Sequence, residues 1–218
     1  MKTIYLKEFK ELVEKEIAFI PLGTVEWHGN YLPIETDFLV ADKICQDLAK
    51  NFGGYVLPPF YMGGYSAAII DGVEMRGMDK KLGKKLYGSV YFLESDLFVK
   101  ILSSLIDNLK QQGFKKIVLV TGHGGDSQEA ALKQVEEKND CLVINPYDGV
   151  SIHHADEGEI SIFWACYPEE EQKARSAQRD EDLTNYYSYD PIEKSSLALG
   201  NDLLGKMLEL SRNRIKNN

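Results

Sequence analysis

Short apolar runs alternate along this chain with longer amphipathic stretches, and that alternation restricts it to an α/β layered fold. Ile17-Ala18-Phe19-Ile20-Pro21-Leu22-Gly23 predicts a buried strand, and Gly54 to Pro59 a second one stopped by two prolines. Lys116 to Gly122 is the most strand-like run, and Cys141 to Pro146 reads as another. Between them, Phe38 to Asn51 sets Leu39, Val40, Ile44, Leu48 and Ala49 on one helical face. Glu94 to Gln112 does the same with Leu97, Phe98, Ile101, Leu102, Leu105, Ile106 and Leu109, and closes at Gly113. A further helix runs to about Lys138, capped by Asp126 or Ser127. Ser161 to Ala165 opens a buried helix, and Lys194 to Lys216 ends the chain as another. Tyr61 to Tyr87 is rich in Gly and Met without a firm period and reads as a long loop with one helical turn, a length typical of lids. No repeat or linker interrupts the 218 residues, so 1–218 is expected to form one domain.

Ligands of open, mostly parallel sheets bind in the crevice beyond the carboxyl ends of the strands. All four histidines lie in three polar clusters placed after such strands: Glu26-Trp27-His28-Gly29 with Asp37, Gly122-His123-Gly124-Gly125-Asp126, and His153-His154-Ala155-Asp156-Glu157-Gly158-Glu159. One edge would therefore collect Glu26, His28, Asp37, His123, His154 and Glu159. Neutral imidazole and anionic carboxylate oxygens are what a divalent cation takes as ligands. Glu26 and His28, two apart, leave an extended segment on the same face, and Pro33 stiffens the return toward Asp37. Glycines on both sides of His123 permit close backbone approach to a ligand. Adjacent side chains diverge, so at most one of His153 and His154 faces the site. Taken singly, each cluster also fits surface carboxylates, a loop histidine or a helix start; Asp126 reads as a cap, and Asp156 and Glu157 as first-turn acids favoured by the helix dipole. The agreement of three separate segments on one edge is what points to a metal.

Composition removes other classes. A net charge of −9 gives phosphate-backbone binding no general electrostatic support, so no nucleic-acid partner is expected. No stretch approaches the roughly 20 apolar residues that span a bilayer, and the start of the chain lacks an apolar core of signal-peptide length, so no membrane partner is expected either. Cys45, Cys141 and Cys166 are odd in number, far apart and without a CxxC pair, as in reduced core cysteines of a cytoplasmic protein.

These clusters resemble the creatininase (creatinine amidohydrolase) family. Its Glu-x-His-Gly-x-His-Leu-Pro-x-x-Thr-Asp is matched by Glu26-Trp27-His28-Gly29-Asn30-Tyr31-Leu32-Pro33-Ile34-Glu35-Thr36-Asp37, with Tyr31 in place of the second histidine. Its Asn-Gly-His-Gly-Gly-Asn is matched by residues 121–126, and its His-Ala-Gly-Glu-x-Glu-Thr-Ser by His154 to Ser161. The resemblance covers roughly residues 17–165 and implies a three-layer α/β/α sandwich holding two divalent metal ions, zinc, manganese or iron. Asp37 would bridge both, with Glu26 and His123 completing one site and His28 binding the other. Creatininase itself takes a carboxylate two residues after the second-motif histidine; here that position is Gly125, and Glu159 is the candidate replacement. His154 matches the family's proton-moving histidine, with Glu159 as a second candidate acid. The implied reaction is hydrolysis of a non-peptide C–N bond, in a cyclic amide or formamide, by a metal-activated water. The missing carboxylate, and the lack of tryptophans that can be placed as a lid, set the chain nearer the deformylase-like and uncharacterised members than creatininase itself. Members commonly assemble as homo-oligomers, hexamers among them. The departures at Tyr31, Asp126 and Ile160 keep a second reading open, a non-catalytic metal- or ligand-binding member acting as a subunit.

Overall fold

The computed structural model describes residues 5–13, 16–65 and 67–218. Residues 1–4, on which part of the leader-free reading rests, lie outside the described residues, as does Ser66 within the expected lid segment. In chain order the strands are β1 (Ile17–Leu22), β2 (Tyr55–Val56), β3 (Gly63–Tyr65), β4 (Ala68–Ile70), β5 (Val73–Met75), β6 (Phe92–Glu94), β7 (Lys116–Thr121) and β8 (Leu142–Ile144). The helices are α1 (Leu6–Val13), α2 (Thr36–Phe52), α3 (Met78–Leu82), α4 (Ser95–Gln111), α5 (Asp126–Lys138), α6 (Glu157–Cys166), α7 (Glu171–Arg175), α8 (Glu181–Tyr187), α9 (Pro191–Lys194) and α10 (Leu197–Lys216).

A four-stranded sheet in the order β2-β1-β7-β8, parallel throughout, forms the middle layer. β1 and β7 are continuous apolar runs because helices cover both faces. Successive side chains then go to opposite layers. Ala18, Ile20, Leu22, Ile117 and Leu119 pack with Phe98, Leu102 and Ile106 of α4 and with Ala131, Leu132 and Val135 of α5. Phe19, Val118, Val120, Leu142 and Ile144 pack with Ile44 and Leu48 of α2, Phe163 and Trp164 of α6, and Met207 and Ile215 of α10. Each large apolar side chain buried in this way contributes roughly 1.5–3 kcal/mol. The expected α/β fold with a mostly parallel sheet is the observed one.

Register sets the site's location. β1 and β7 pair from Ile17 opposite Lys116 to Leu22 opposite Thr121, so they end side by side. Gly122 N–H donates to Leu22 O at 2.8 Å, tying the two exits together.

Three expectations need correction. The segment 61–87 is more than a loop with one helical turn: α3 is that turn, but β3 also pairs with β6, and β4 and β5 form an antiparallel hairpin. Its strands are three residues each, too short to show a period. The C-terminal helix starts at Leu197, because Ser196 is extended and its side chain accepts from Leu199 N, which separates α9 from α10. Gly125, not Asp126 or Ser127, is the N-cap of α5, and Asp126 is the helix's exposed first residue.

Candidate metal centre

The first and second clusters leave β1 and β7 at the shared edge, and the first turn of α2 drops between them. A Cβ on Gly122 would lie 1.9 Å from Asp37 O, and one on Gly23 would lie 2.3 Å from Phe38 N. These two glycines let the start of α2 press against the strand ends, which carries Asp37 into the buried edge. Thr24 N–H donates to Asp37 Oδ2 at 3.3 Å. The third cluster arrives from β8. Asp156 caps α6 by accepting from Glu159 N at 2.9 Å, so Glu159 falls in the first turn, where Ala155 N–H donates to its Oε2 at 2.5 Å.

The six residues meet. His28 Nε2 lies 3.1 Å from Asp37 Oδ1 and 3.8 Å from Glu159 Oε2. His123 Nδ1 lies 2.9 Å from Glu26 Oε1 and 3.0 Å from Asp37 Oδ2. His154 Nδ1 stands 3.6 Å from Glu26 Oε1. Donor atoms thus converge in overlapping groups, of which Glu26–Asp37–His123 and His28–Asp37–Glu159 share Asp37 through different oxygens.

Two of these atoms test the fit to a cation. Glu26 Oε1 and His28 Nε2 are buried and make no hydrogen bond among the described residues, although each has a charged neighbour near 3 Å. Ligand atoms of three residues gathered within 4.8 Å of one another, with polar atoms left unpaired in a buried place, suit a shared cation and are costly without one. The orientation of His28 agrees, since Nδ1 is 3.1 Å from Glu26 O and so carries the proton, leaving Nε2 free as a ligand. The donor set of imidazoles and carboxylates fits zinc, manganese and iron alike.

Without cations, protons hold the cluster together. Burial opposes charge on every group, but His123 keeps the Glu26 carboxyl below its ordinary value, and His123 with His28 does the same for Asp37. Burial would lower His28, yet its contacts with Asp37 raise it to about 10; Glu26 and Asp37 likewise hold His123 well above its ordinary value. Burial pushes Glu159 up to about 7. Burial and the His28 charge push His154 down to about 4, so its ring is neutral near pH 7.

Among the described residues, His153, Tyr31 and Gly125 belong to none of these donor groups. His153 is exposed and faces Asp156 at 3.4 Å, so His154 is the histidine of that pair that faces the cluster. Its Nε2 is 2.5 Å from Trp27 O. Tyr31, in place of the family's second histidine, serves the fold: its hydroxyl donates to Asp190 Oδ2 and accepts from Asp180 N, both at 3.0 Å, pinning the segment around α8 and α9. A Cβ on Gly125 would lie 2.8 Å from His123 Nε2, so the ring fills the space of the absent carboxylate. Sequence reading passed over Tyr147 and Tyr187, which line the same cavity of about 500 Å³. Tyr187 donates to His154 O at 2.6 Å. No periodicity or motif marks either residue.

A model of the creatininase family, described as creatinine amidohydrolase, matches residues 3–200. A 2-amino-5-formylamino-6-ribosylaminopyrimidin-4(3H)-one 5'-monophosphate deformylase of Methanococcus maripaludis is 28% identical over 163 residues, 72% of this chain and 62% of that protein. The creatinine amidohydrolase of Pseudomonas putida is 22% identical over 107 residues, 49% of this chain and 37% of that protein. A 3-dehydro-scyllo-inosose hydrolase of Thermotoga maritima is 25% identical over 194 residues, 77% of this chain and 56% of that protein. The chain thus spans 37–62% of the length of these curated relatives. Among solved structures, a creatinine amidohydrolase (creatininase) superposes with a TM-score of 0.72 at 18% identity, covering 98% of this chain and 95% of that one. A manganese form of creatininase gives 0.72 at 17% identity, covering 98% and 96%. At such identity the likeness speaks for the fold.

Proposed function

The chain belongs to the creatininase family, and from that premise we propose that it is one creatininase-like domain that hydrolyses a non-peptide C–N bond of a small amide, with two divalent cations at the edge of its sheet. The observation that carries this reading is the division of Asp37: one carboxylate oxygen faces His28, the other faces His123, and Glu26 and Glu159 close the two groups. Cations held there would supply Lewis acidity, polarising an amide carbonyl and lowering the pKa of a water. Glu26, Asp37 and His123 would hold one cation, and His28, Asp37 and Glu159 the other.

His154 is the residue for proton transfer. It is neutral near pH 7, it is anchored through Nε2 at Trp27 O, and its Nδ1 faces Glu26. It can therefore take a proton at Nδ1 and deliver it to the departing nitrogen. Glu159, pushed up to about 7 by burial, is the second candidate for this transfer wherever it is not taken up as a ligand. A formamide or a cyclic amide is the favoured substrate class, in keeping with the deformylase and creatinine amidohydrolase among the relatives.

The test is metal content by elemental analysis of protein purified without chelator, beside Asp37→Ala, followed by a screen of formamides, lactams and cyclic ureides. About two transition-metal ions per chain are expected, fewer in the variant, which should lose turnover altogether. Full activity in Asp37→Ala would sink the reading. No metal uptake by the parent protein would move the chain to the non-catalytic class.

A further inference from the structure

Several buried side-chain atoms have no hydrogen-bond partner among the described residues: Glu26 Oε1, His28 Nε2, Tyr147 Oη, Trp164 Nε1 and Arg212 Nε. The first two belong to the donor groups described above. Trp164 and Arg212 do not line the cavity over those groups; Tyr147 does, beside His154, Glu159 and Tyr187. A hydroxyl oxygen buried without a hydrogen-bond partner on a half-buried ring is a cost to the fold, about 1–3 kcal/mol for an unsatisfied polar group. Folds retain such groups where a ligand supplies the missing partner.

The backbone fixes the phenol there. Asn145 Oδ1 accepts from Tyr147 N at 3.2 Å, and Tyr147 O accepts from Val150 N at 3.1 Å, so the turn after β8 is closed on both sides of the residue. The residue therefore lines the cavity from a braced turn. Glu159 and Asp37 are its charged neighbours, and neither takes its proton in a hydrogen bond.

We propose that Tyr147 is a further residue of the reaction centre, whose hydroxyl donates a hydrogen bond to the substrate's carbonyl oxygen and strengthens it as that oxygen gains charge. This rests on the hydrolase reading above. Donation rather than proton transfer is the role because a phenol held well above its ordinary value does not release its proton near neutral pH. Burial, with the charges of Glu159 and Asp37, holds the Tyr147 phenol well above its ordinary value. It stays protonated throughout, as an oxyanion donor must.

The experiment compares the parent protein with Tyr147→Phe, which keeps the ring and removes only the hydroxyl. Manganese stoichiometry, melting temperature of the metal-free protein, and acetohydroxamate affinity of the manganese-loaded protein are measured; the hydroxamate offers a charged carbonyl-type oxygen. Expected are unchanged manganese content, a melting temperature equal to or above the parent's, and hydroxamate binding weaker by roughly tenfold, the scale of one hydrogen bond in a desolvated site. Equal affinity in the two proteins would overturn the proposal, as would a parent protein that loads manganese but binds no hydroxamate. So would a melting temperature lower by several degrees in Tyr147→Phe, since the hydroxyl would then have a structural partner. Failure of the parent to load manganese, seen in the stoichiometry alone, would instead bring down the hydrolase reading on which the proposal stands.

Discussion

Gly122 shows how far a residue without a side chain governs the chemistry around it. An alanine methyl there would stand 1.9 Å from the Asp37 carbonyl oxygen, so the strand end or the start of α2 must move. Gly124, two residues on, has nothing within 4 Å of its notional Cβ. Gly122→Ala is therefore expected to cost on the order of 1–3 kcal/mol or more, as overpacking does, and to lower metal content although glycine ligates nothing. Gly124→Ala should melt and load metal like the parent. Thermal melts with elemental analysis of the two variants check this, and equal behaviour would refute the close-packing account. The spacing of Glu26, His28, Asp37 and His123 was legible in the chain because each sits at a fixed step from a strand end. The conformation at Gly125 was not legible, because the His123 ring that occupies its side-chain space depends on tertiary contact rather than local sequence. Tyr31 shows the same limit, since its partners lie about 150 residues away.

At the level of elements, the long helices and the strands of the central sheet were readable, and the short strands outside that sheet were not. Six-residue strands such as β1 and β7 are buried along nearly their whole length and stand out as apolar runs. The β4–β5 hairpin did carry a signal that went unread: Asp71-Gly72 joins Ile70 to Val73, and both turn residues have positive φ, 50° and 78°. Asp-Gly between apolar pairs favours a tight two-residue turn of this kind. The start of α6 was misread in a milder way. Asp156 is not a first-turn acid; it is the N-cap, taking Glu159 N on Oδ1 and His153 N at 2.6 Å on Oδ2. Because that cap positions Glu159, Asp156→Ala should lose about 0.5–2 kcal/mol of stability. It should also weaken metal binding, whereas an exposed helix acid such as Glu137 changed to Ala should do neither. Denaturant unfolding and a metal titration of both variants separate the outcomes; a fully stable Asp156→Ala would show that the cap is dispensable.

For the whole molecule, the buried cluster couples folding to both protons and cations. In the metal-free protein His28 has its pKa raised from 6.5 to about 10, so its contribution to stability is complete below pH 6.5 and is lost as pH rises through 10. His123, raised well above its ordinary value, acts in the same sense, and Glu159, raised from 4.5 to about 7, loses its contribution between those values. His154 acts oppositely, but only between its lowered value of about 4 and 6.5. Glu26 and Asp37, both lowered, give stability that disappears only in acid. Above pH 6.5 the groups still titrating therefore all pull the same way, and the metal-free protein should melt at progressively lower temperature up to pH 9. A cation inverts this dependence, because it takes the place of the protons on His28 and His123 and binds better as they leave. Its stabilisation grows with the ratio of free metal to dissociation constant, reaching about 2.7 kcal/mol at a hundredfold excess. The rise in melting temperature on adding manganese should accordingly be small at pH 6 and larger at each step toward pH 9. Melts in chelator and in manganese across that range read both trends at once. A metal-free melting temperature that holds steady or climbs with pH would mean that the histidines are not charged in the folded protein. A manganese increment independent of pH would mean that the cation binds somewhere other than the cluster around Asp37.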